Sequence, residues 1–250
     1  LLLLSTLLLL CVSFKPLGPW KPGRSTYYTT PDDGACGYGP IPSKTFPFRH
    51  IAAPNEAFYN KAGVCGECFE IQCLSTPYKQ GSCVPNATVV VQVTDECPCG
   101  PNPKWCCGDK DHLDLSEEAF TILANPVAGV METQYRQVTC DVSGNLKYRV
   151  KTGSNKWWFE LQAFNVGGIG GVKLLELKQA TDTTWEKPAR QDYNYWLIQV
   201  QGSGLAMPLS IRVTSEDGQV ITSNNIIPSV QPGAIYDSGV QFNTSSVSVL

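Results

Sequence analysis

Hydrophobic and polar positions give this chain three successive textures. Residues 1–13, LLLLSTLLLLCVS, are almost wholly apolar, a run of signal-peptide length that is too short to span a bilayer. It predicts an export signal cleaved after Ser13 and truncated at its N-terminus, because no initiator Met or basic segment precedes it. Residues 14–25, FKPLGPWKPGRS, are rich in Pro, Gly and basic residues and read as an exposed leader. From Thr26 to Cys140, short β-prone runs such as VVVQVT (89–94) and YRQVTC (135–140) alternate with Gly, Pro and Asn loops, the pattern of a mainly β domain. One helix interrupts it: Ser116 as N-cap, Glu117 and Glu118 in the first turn, Phe120 and Leu123 inward, and Asn125-Pro126 as the stop. Asp114 then lies just ahead of a helix entrance.

After Asp141-Val142-Ser143-Gly144 the strands become regular: LKYRV, WWFELQAF, VKLLEL, YWLIQV, LSIRVT and VIT. Glu216-Asp217-Gly218 between LSIRVTS and QVITS is a hairpin signal. Such a series suggests a β-sandwich. The expected fold class is all-β in two domains, residues 26–142 and 146–245, and no internal repeat is evident.

Cysteine usage sharpens the division. Removing Cys11 with the export signal leaves ten of the eleven cysteines, all between Cys36 and Cys140. Export and an even count favour disulfides over a zinc site, although Cys65-x-x-Cys68 and the cluster Cys97, Cys99, Cys106 and Cys107 have ligand-like spacing. The vicinal Cys106 and Cys107 should bond to different partners. The second domain has no cysteine and must rely on an ordinary core. A net charge of -3 with 16% charged residues offers no basic face for nucleic acid, and no second apolar run could cross a membrane. Asn86-Ala87-Thr88 and Asn243-Thr244-Ser245 are glycosylation sequons.

Candidate chemistry centres on carboxylates beside cysteine-pinned backbone: Asp32 or Asp33, Asp95 after the VVVQV strand, and Asp114. A carboxyl pair flanking a sugar is what glycoside hydrolysis requires. Each aspartate taken singly is also explained by capping of turn amides, Asp114 less so, because its segment alternates with apolar residues. Strand alternation sorts the aromatics: Trp157, Phe159, Leu161 and Ala163 share a core face, whereas Trp158 lies with Glu160 and Gln162. Trp158 is then either a sugar platform or a core residue, and Tyr193, Tyr195 and Trp196 are further candidates.

Taken together, Thr26-Tyr27-Tyr28, GACGYG (34–39), CGECFEI (65–71), Thr94-Asp95-x-Cys97-Pro98, HLDLS (112–116), YRQV (135–138) and LSIRVTSEDG (209–218) resemble the expansins, plant-type cell-wall-loosening proteins. The resemblance covers roughly residues 26–242 and is closest to the α-type members around Cys97 to Asp114. It implies a six-stranded double-psi β-barrel related to family-45 endoglucanases, followed by an immunoglobulin-like β-sandwich, with a polysaccharide groove across both. It assigns Thr26, Tyr28, Asp32, Asp95 and Asp114 to the groove, Asp114 at the position of the hydrolases' general acid, and Trp158, Tyr193 and Trp196 to the open aromatic face. It pairs Cys36 with Cys65, Cys68 with Cys140 and Cys73 with Cys83, leaving the four clustered cysteines to form two bonds of open connectivity.

Thr30 decides the chemistry that the resemblance implies. The related endoglucanases carry their catalytic base, an aspartate, two residues after the groove tyrosine, where this chain has Thr30. A threonine hydroxyl cannot serve as base near neutral pH, and an inverting hydrolase without its base cannot activate water. Against the family pattern, this chain has Leu113 where Phe is usual, one fewer residue between Tyr193 and Trp196, no C-terminal Trp, and extra cysteines at Cys99 and Cys107. The expected function is a secreted, monomeric, non-hydrolytic wall-loosening protein that binds cellulose, xyloglucan or other β-glucan, needs no cofactor or metal, and resides in the cell wall. A weak β-1,4-endoglucanase and a glycan-binding module without loosening activity are the alternatives.

Overall fold

The computed structural model describes residues 14–29, 33–40 and 50–244. Thr30, Asp32 and the export segment lie outside these residues. Six strands, β1 (Lys21–Tyr28), β2 (Ile51–Pro54), β3 (Cys68–Ser75), β4 (Thr88–Val93), β5 (His112–Ser116) and β6 (Met131–Val138), close into a double-psi barrel in the order β1-β5-β2-β4-β3-β6. β1 pairs with β5 and β2 with β4 in parallel, and the other pairings are antiparallel. Leu113, Leu115, Val91, Ile71 and Met131 fill the barrel. Three short helices, α1 (Glu56–Tyr59), α2 (Pro103–Cys106) and α3 (Glu117–Leu123), attach to it. Ala119, Phe120 and Leu123 of α3 are buried, and a 3-10 turn begins at Pro126, where the Asn125 side chain accepts from the Val127 amide.

Residues 21–25 do not belong to an exposed leader. Lys21 to Ser25 pair with Tyr135 to Met131 of β6, and Gly23, Arg24 and Ser25 are buried. The Pro and Gly that read as loop signals sit at a strand start. Gly23 runs tightly against β6: a Cβ there would lie 3.0 Å from the Tyr135 ring.

The remaining strands are β7 (Lys147–Val150), β8 (Trp158–Phe164), β9 (Val172–Lys178), β10 (Ala189–Arg190), β11 (Trp196–Gln199), β12 (Leu209–Ser215), β13 (Val220–Ile227) and β14 (Ile235–Asp237). They form a five-stranded sheet, β10-β11-β8-β7-β14, and a three-stranded sheet, β13-β12-β9. A common core that includes Tyr148, Phe159, Leu161, Leu175, Leu209 and Ile211 lies between them, the arrangement of a β-sandwich. The Glu216-Asp217-Gly218 turn joins β12 and β13 as a hairpin.

Barrel and sandwich are tied by specific polar contacts. Gln162 Nε2 donates to the Cys36 carbonyl at 2.8 Å, Tyr59 Oη to the Asp192 carbonyl at 2.9 Å, and Arg149 Nη1 to the Tyr38 carbonyl at 2.7 Å. Backbones approach so closely at Gly170 that a Cβ would lie 2.3 Å from the Gly66 carbonyl oxygen. Five disulfides lie on the barrel side: Cys36–Cys65, Cys68–Cys140, Cys73–Cys83, Cys97–Cys106 and Cys99–Cys107. The vicinal pair thus bonds to different partners, and the connectivity of the four clustered cysteines is settled as two interleaved short loops.

Candidate functional site

Strand alternation builds the barrel part of the site. Leu113 and Leu115 point into the core, so His112 and Asp114 face outward from β5. The parallel register sets Arg24 beside His112, Thr26 beside Asp114 and Tyr28 beside Ser116. Ala53 of β2, level with Asp114, leaves room above the sheet with its small side chain.

These side chains form a directed hydrogen-bond chain. Arg24 can only donate, so its Nε contact with His112 Nδ1 at 3.4 Å makes that nitrogen the acceptor. The neutral ring then carries its proton on Nε2 and donates to Thr26 Oγ1 at 3.0 Å, and Thr26 donates to Asp114 Oδ1 at 2.6 Å. Burial first, then the Arg24 charge, lowers the His112 pKa to about 4 against the opposing pull of Asp109. The ring therefore stays neutral and keeps this polarity. Asp109 holds Arg24 from outside, accepting from both terminal guanidinium nitrogens, Nη1 and Nη2, at 3.0 and 2.8 Å.

Asp114 itself is pushed to about 6, mainly by burial and further by the Asp95 charge, while the Thr26 bond pulls the other way. Tyr28 feels both aspartates, and burial followed by their charges raises its phenol well above the ordinary range. The Tyr28 hydroxyl has no hydrogen-bond partner of good geometry among the described residues; Thr94 lies beside it, near enough to ease its ionisation but not aligned for a full bond. The phenol is thus buried within the influence of two carboxyls without a well-formed bond of its own. Asp95 holds backbone in place: its Oδ1 accepts from the Ala35 amide at 2.6 Å and from the Glu96 amide at 2.8 Å. It pins the 33–40 loop, where a Cβ at Gly34 would lie 2.4 Å from the Thr94 carbonyl oxygen. Capping of turn amides therefore describes Asp95 well.

That loop leads to the sandwich, where Gly37 lies against Tyr193 and Tyr195. Trp158 is 44% exposed on β8 and its Nε1 lies 3.4 Å from Glu160 Oε2, while Tyr193 donates to Glu160 Oε1 in a short bond. Lys151 pairs with Glu160 at 3.0 Å and stands over the Tyr193 ring at 4.3 Å. Burial alone would raise the Glu160 carboxyl, but the hydrogen bonds from Tyr193, Lys151 and Trp158 outweigh it and hold the group below the usual carboxylate range. The result is an ionised anchor beneath two available aromatic rings.

Two expectations fail here. Trp196 is only 5% exposed and packs in the sandwich core, because its register opposite Leu161 turns it to the inner face. Trp157, expected inward, is 48% exposed, because β8 begins at Trp158 and the preceding residue escapes the alternation. The polar face of β8 is not solvated either: Glu160 and Gln162 are buried, the latter against the barrel. Sulfurs of Cys97 and Cys106 gather with a His112 nitrogen within 4.8 Å, but they are bonded to each other and cannot act as thiolate ligands. The Cys97 sulfur instead walls the site, 4.0 Å from Asp114 Oδ2.

Comparison with known proteins places this geometry. Residues 51–135 match a double-psi β-barrel family model described as lytic transglycolase, and residues 146–228 match the expansin C-terminal domain. The chain is 35% identical over 223 residues to expansin-like protein 5 of Dictyostelium discoideum, covering 88% of this chain and 84% of that one. It is 33% identical to expansin-B11 of Oryza sativa subsp. japonica, covering 90% of this chain and 78% of the relative. The chain belongs to the expansin family.

Among solved structures, the apo expansin of Clavibacter michiganensis superposes with a TM-score of 0.69 at 27% identity, covering 90% of this chain and 98% of the bacterial one. An aspartate variant of that bacterial protein, solved in complex with cellohexaose, superposes with a TM-score of 0.68. In this expansin, Arg24, Glu160 and Lys151 were not legible as site residues. Arg24 sat in a segment read as leader, and Glu160 and Lys151 act by ordering aromatics that are distant in sequence. His112 stood beside Asp114 in the HLDLS run, but its part in the chain depends on the β1–β5 register.

Proposed function

We propose that this expansin is a secreted, monomeric, non-hydrolytic cell-wall-loosening protein that lies along cellulose and associated β-glucans and disrupts their lateral hydrogen bonding. The observation that carries the reading is the continuity of polar and aromatic groups from Thr26, Tyr28 and Asp114 on the barrel, past the loop pinned by Asp95, to Trp158 and Tyr193 on the sandwich. Aromatic rings can lie against the CH faces of pyranose rings while carboxyls take the hydroxyls. The bacterial expansin in complex with cellohexaose supports a glucan as ligand. The disulfides of this chain suit an oxidising, extracellular compartment, and no helix among the described residues is long and apolar enough to cross a membrane.

The non-hydrolytic part of the proposal rests on Thr30 in the sequence, with Asp32 as a further groove carboxyl. Asn86, exposed in a left-handed turn, and Asn243, also exposed, are proposed glycan attachment sites. Extension of isolated plant walls under constant load tests the function. The wild type should cause creep without releasing reducing ends, and Asp114→Ala should abolish creep while its circular dichroism stays native. Full creep by that variant, or sustained release of reducing sugar by the wild type, would overturn the proposal.

A further inference from the structure

Two loops outside the groove each present an aromatic side chain that neither core absorbs. Tyr78, beyond the end of β3, is 66% exposed, and Trp105 in α2 is half-buried. Their rings meet edge to face, with centroids 6.4 Å apart and planes at 72°. Lys104 Nζ stands 4.3 Å from the Trp105 ring and 5.5 Å from that of Tyr78.

Both loops are tied. Cys73–Cys83 closes the one that carries Tyr78, and Cys97–Cys106 with Cys99–Cys107 closes the one that carries Trp105. Arg24 completes the support: its guanidinium lies 5.0 Å from the Trp105 ring centroid and its Nη2 donates to the Trp105 carbonyl at 2.8 Å. Such bracing keeps rings outward that a loose loop would fold over, and pre-organised aromatic surface loses little entropy on binding.

The pair also has a place relative to the groove. Trp105 packs with Tyr28 against the same patch, Ala53, Cys97 and Cys106. The path of contacts that begins at Trp158 and Tyr193 and passes Asp95 to Tyr28 and Asp114 therefore continues to Trp105 and ends at Tyr78. Arg24 belongs to both parts, since it opens the hydrogen-bond chain to Asp114 and underlies Trp105.

We infer that Trp105 and Tyr78 form an outer subsite that takes a pyranose ring of a β-linked glucan chain running out of the groove beyond Asp114, with Lys104 moving off the ring face to meet the sugar hydroxyls. This rests on the reading that the groove binds glucan. It adds a contact at the end remote from the sandwich, so its contribution should appear only with ligands long enough to reach it.

The test compares cellotriose, cellohexaose and soluble mixed-linkage β-glucan, by titration calorimetry for the oligosaccharides and affinity electrophoresis for the polymer. Tyr78→Ala and Trp105→Ala should weaken polymer binding roughly tenfold, leave cellotriose binding unchanged, and shrink the gain in affinity with ligand length. Trp105→Phe, which keeps a ring, should recover most of the loss. Tyr78 is exposed enough that its removal cannot unfold the loop, so that variant decides if Trp105→Ala melts early. Polymer retention equal to wild type in Tyr78→Ala, while Trp158→Ala is impaired, overturns the subsite and leaves the groove reading standing. Equal weakening for cellotriose and polymer overturns it as an outer subsite. Failure of the wild type to retain any glucan removes both readings.

Discussion

Burial and the Asp95 charge hold Asp114 at about 6, so under mildly acidic conditions its carboxyl carries a proton while Oδ1 is engaged by Thr26. The second oxygen can then donate to a glucan oxygen, which an ionised carboxylate cannot do. Wall creep should accordingly increase as pH falls through about 6, measured as extension rate in a buffer series; a flat profile across that range would refute a protonated working form. Thr26→Val removes the bond that lowers this pKa, so the inflection should move to higher pH. Stability follows the same proton. A carboxyl raised in the folded state gives its full contribution below the unfolded value near 4 and loses it as pH rises through about 6. Asp114→Asn should therefore leave stability unchanged near pH 4 and raise it by up to about 2 kcal/mol at pH 8, read from denaturant unfolding at the two pH values. Asp114 could be singled out in the sequence because apolar neighbours flank it, but its protonation could not, since that depends on Thr26, Asp95 and the disulfide wall arriving from other strands.

At the scale of elements, period-two alternation was legible wherever a strand runs uninterrupted. Phe159, Leu161 and Ala163 are inward on β8, and the regular runs after Gly144 all became strands. It failed at ends and edges. β1 was hidden by Pro and Gly at its start, and Trp157 precedes the strand to which its alternation was assigned. Trp196 was misplaced because neighbouring Tyr193, Tyr195 and Trp196 could not be divided between faces without knowing that β11 starts at Trp196. The two tryptophans should therefore separate in experiment. Trp196→Ala opens a cavity in a packed core and should cost about 3–5 kcal/mol, whereas Trp158→Ala should change stability by less than about 1 kcal/mol yet weaken retention on cellulose. Chemical denaturation paired with a cellulose pull-down would check both, and a Trp158→Ala protein that binds cellulose normally would remove that ring from the site.

Across the whole molecule, the sequence showed that cysteines staple one half and an ordinary core holds the other, but not how the halves meet. The junction is made by glycines and buried polar groups with no periodic signature: Gly66 against Gly170, Gln162 on the Cys36 carbonyl, and Glu67 against Gly171. Glu67 accepts from Gln137 Nε2 at 3.0 Å and is raised to about 8, by burial first and then by Glu216, against a weaker opposing pull from the half-buried Arg190. Its folded-state contribution is complete below the unfolded value near 4.5 and is lost as pH rises through about 8. Two other shifted groups nearly offset each other between pH 4 and 6: Asp114 loses stability as pH rises, while His112, lowered to about 4, gains it. Glu67 is then the group that sets the slope above neutrality, where ionisation would place a charge in the barrel–sandwich junction. The wild type should melt at progressively lower temperature from pH 6 to 9. Glu67→Gln keeps an acceptor for Gln137 without the ionisation, so it should flatten that slope and melt about 4–8 °C higher at pH 9, with little difference near pH 5. Parallel melting curves for the two proteins across this range would show that Glu67 is not ionising at the junction.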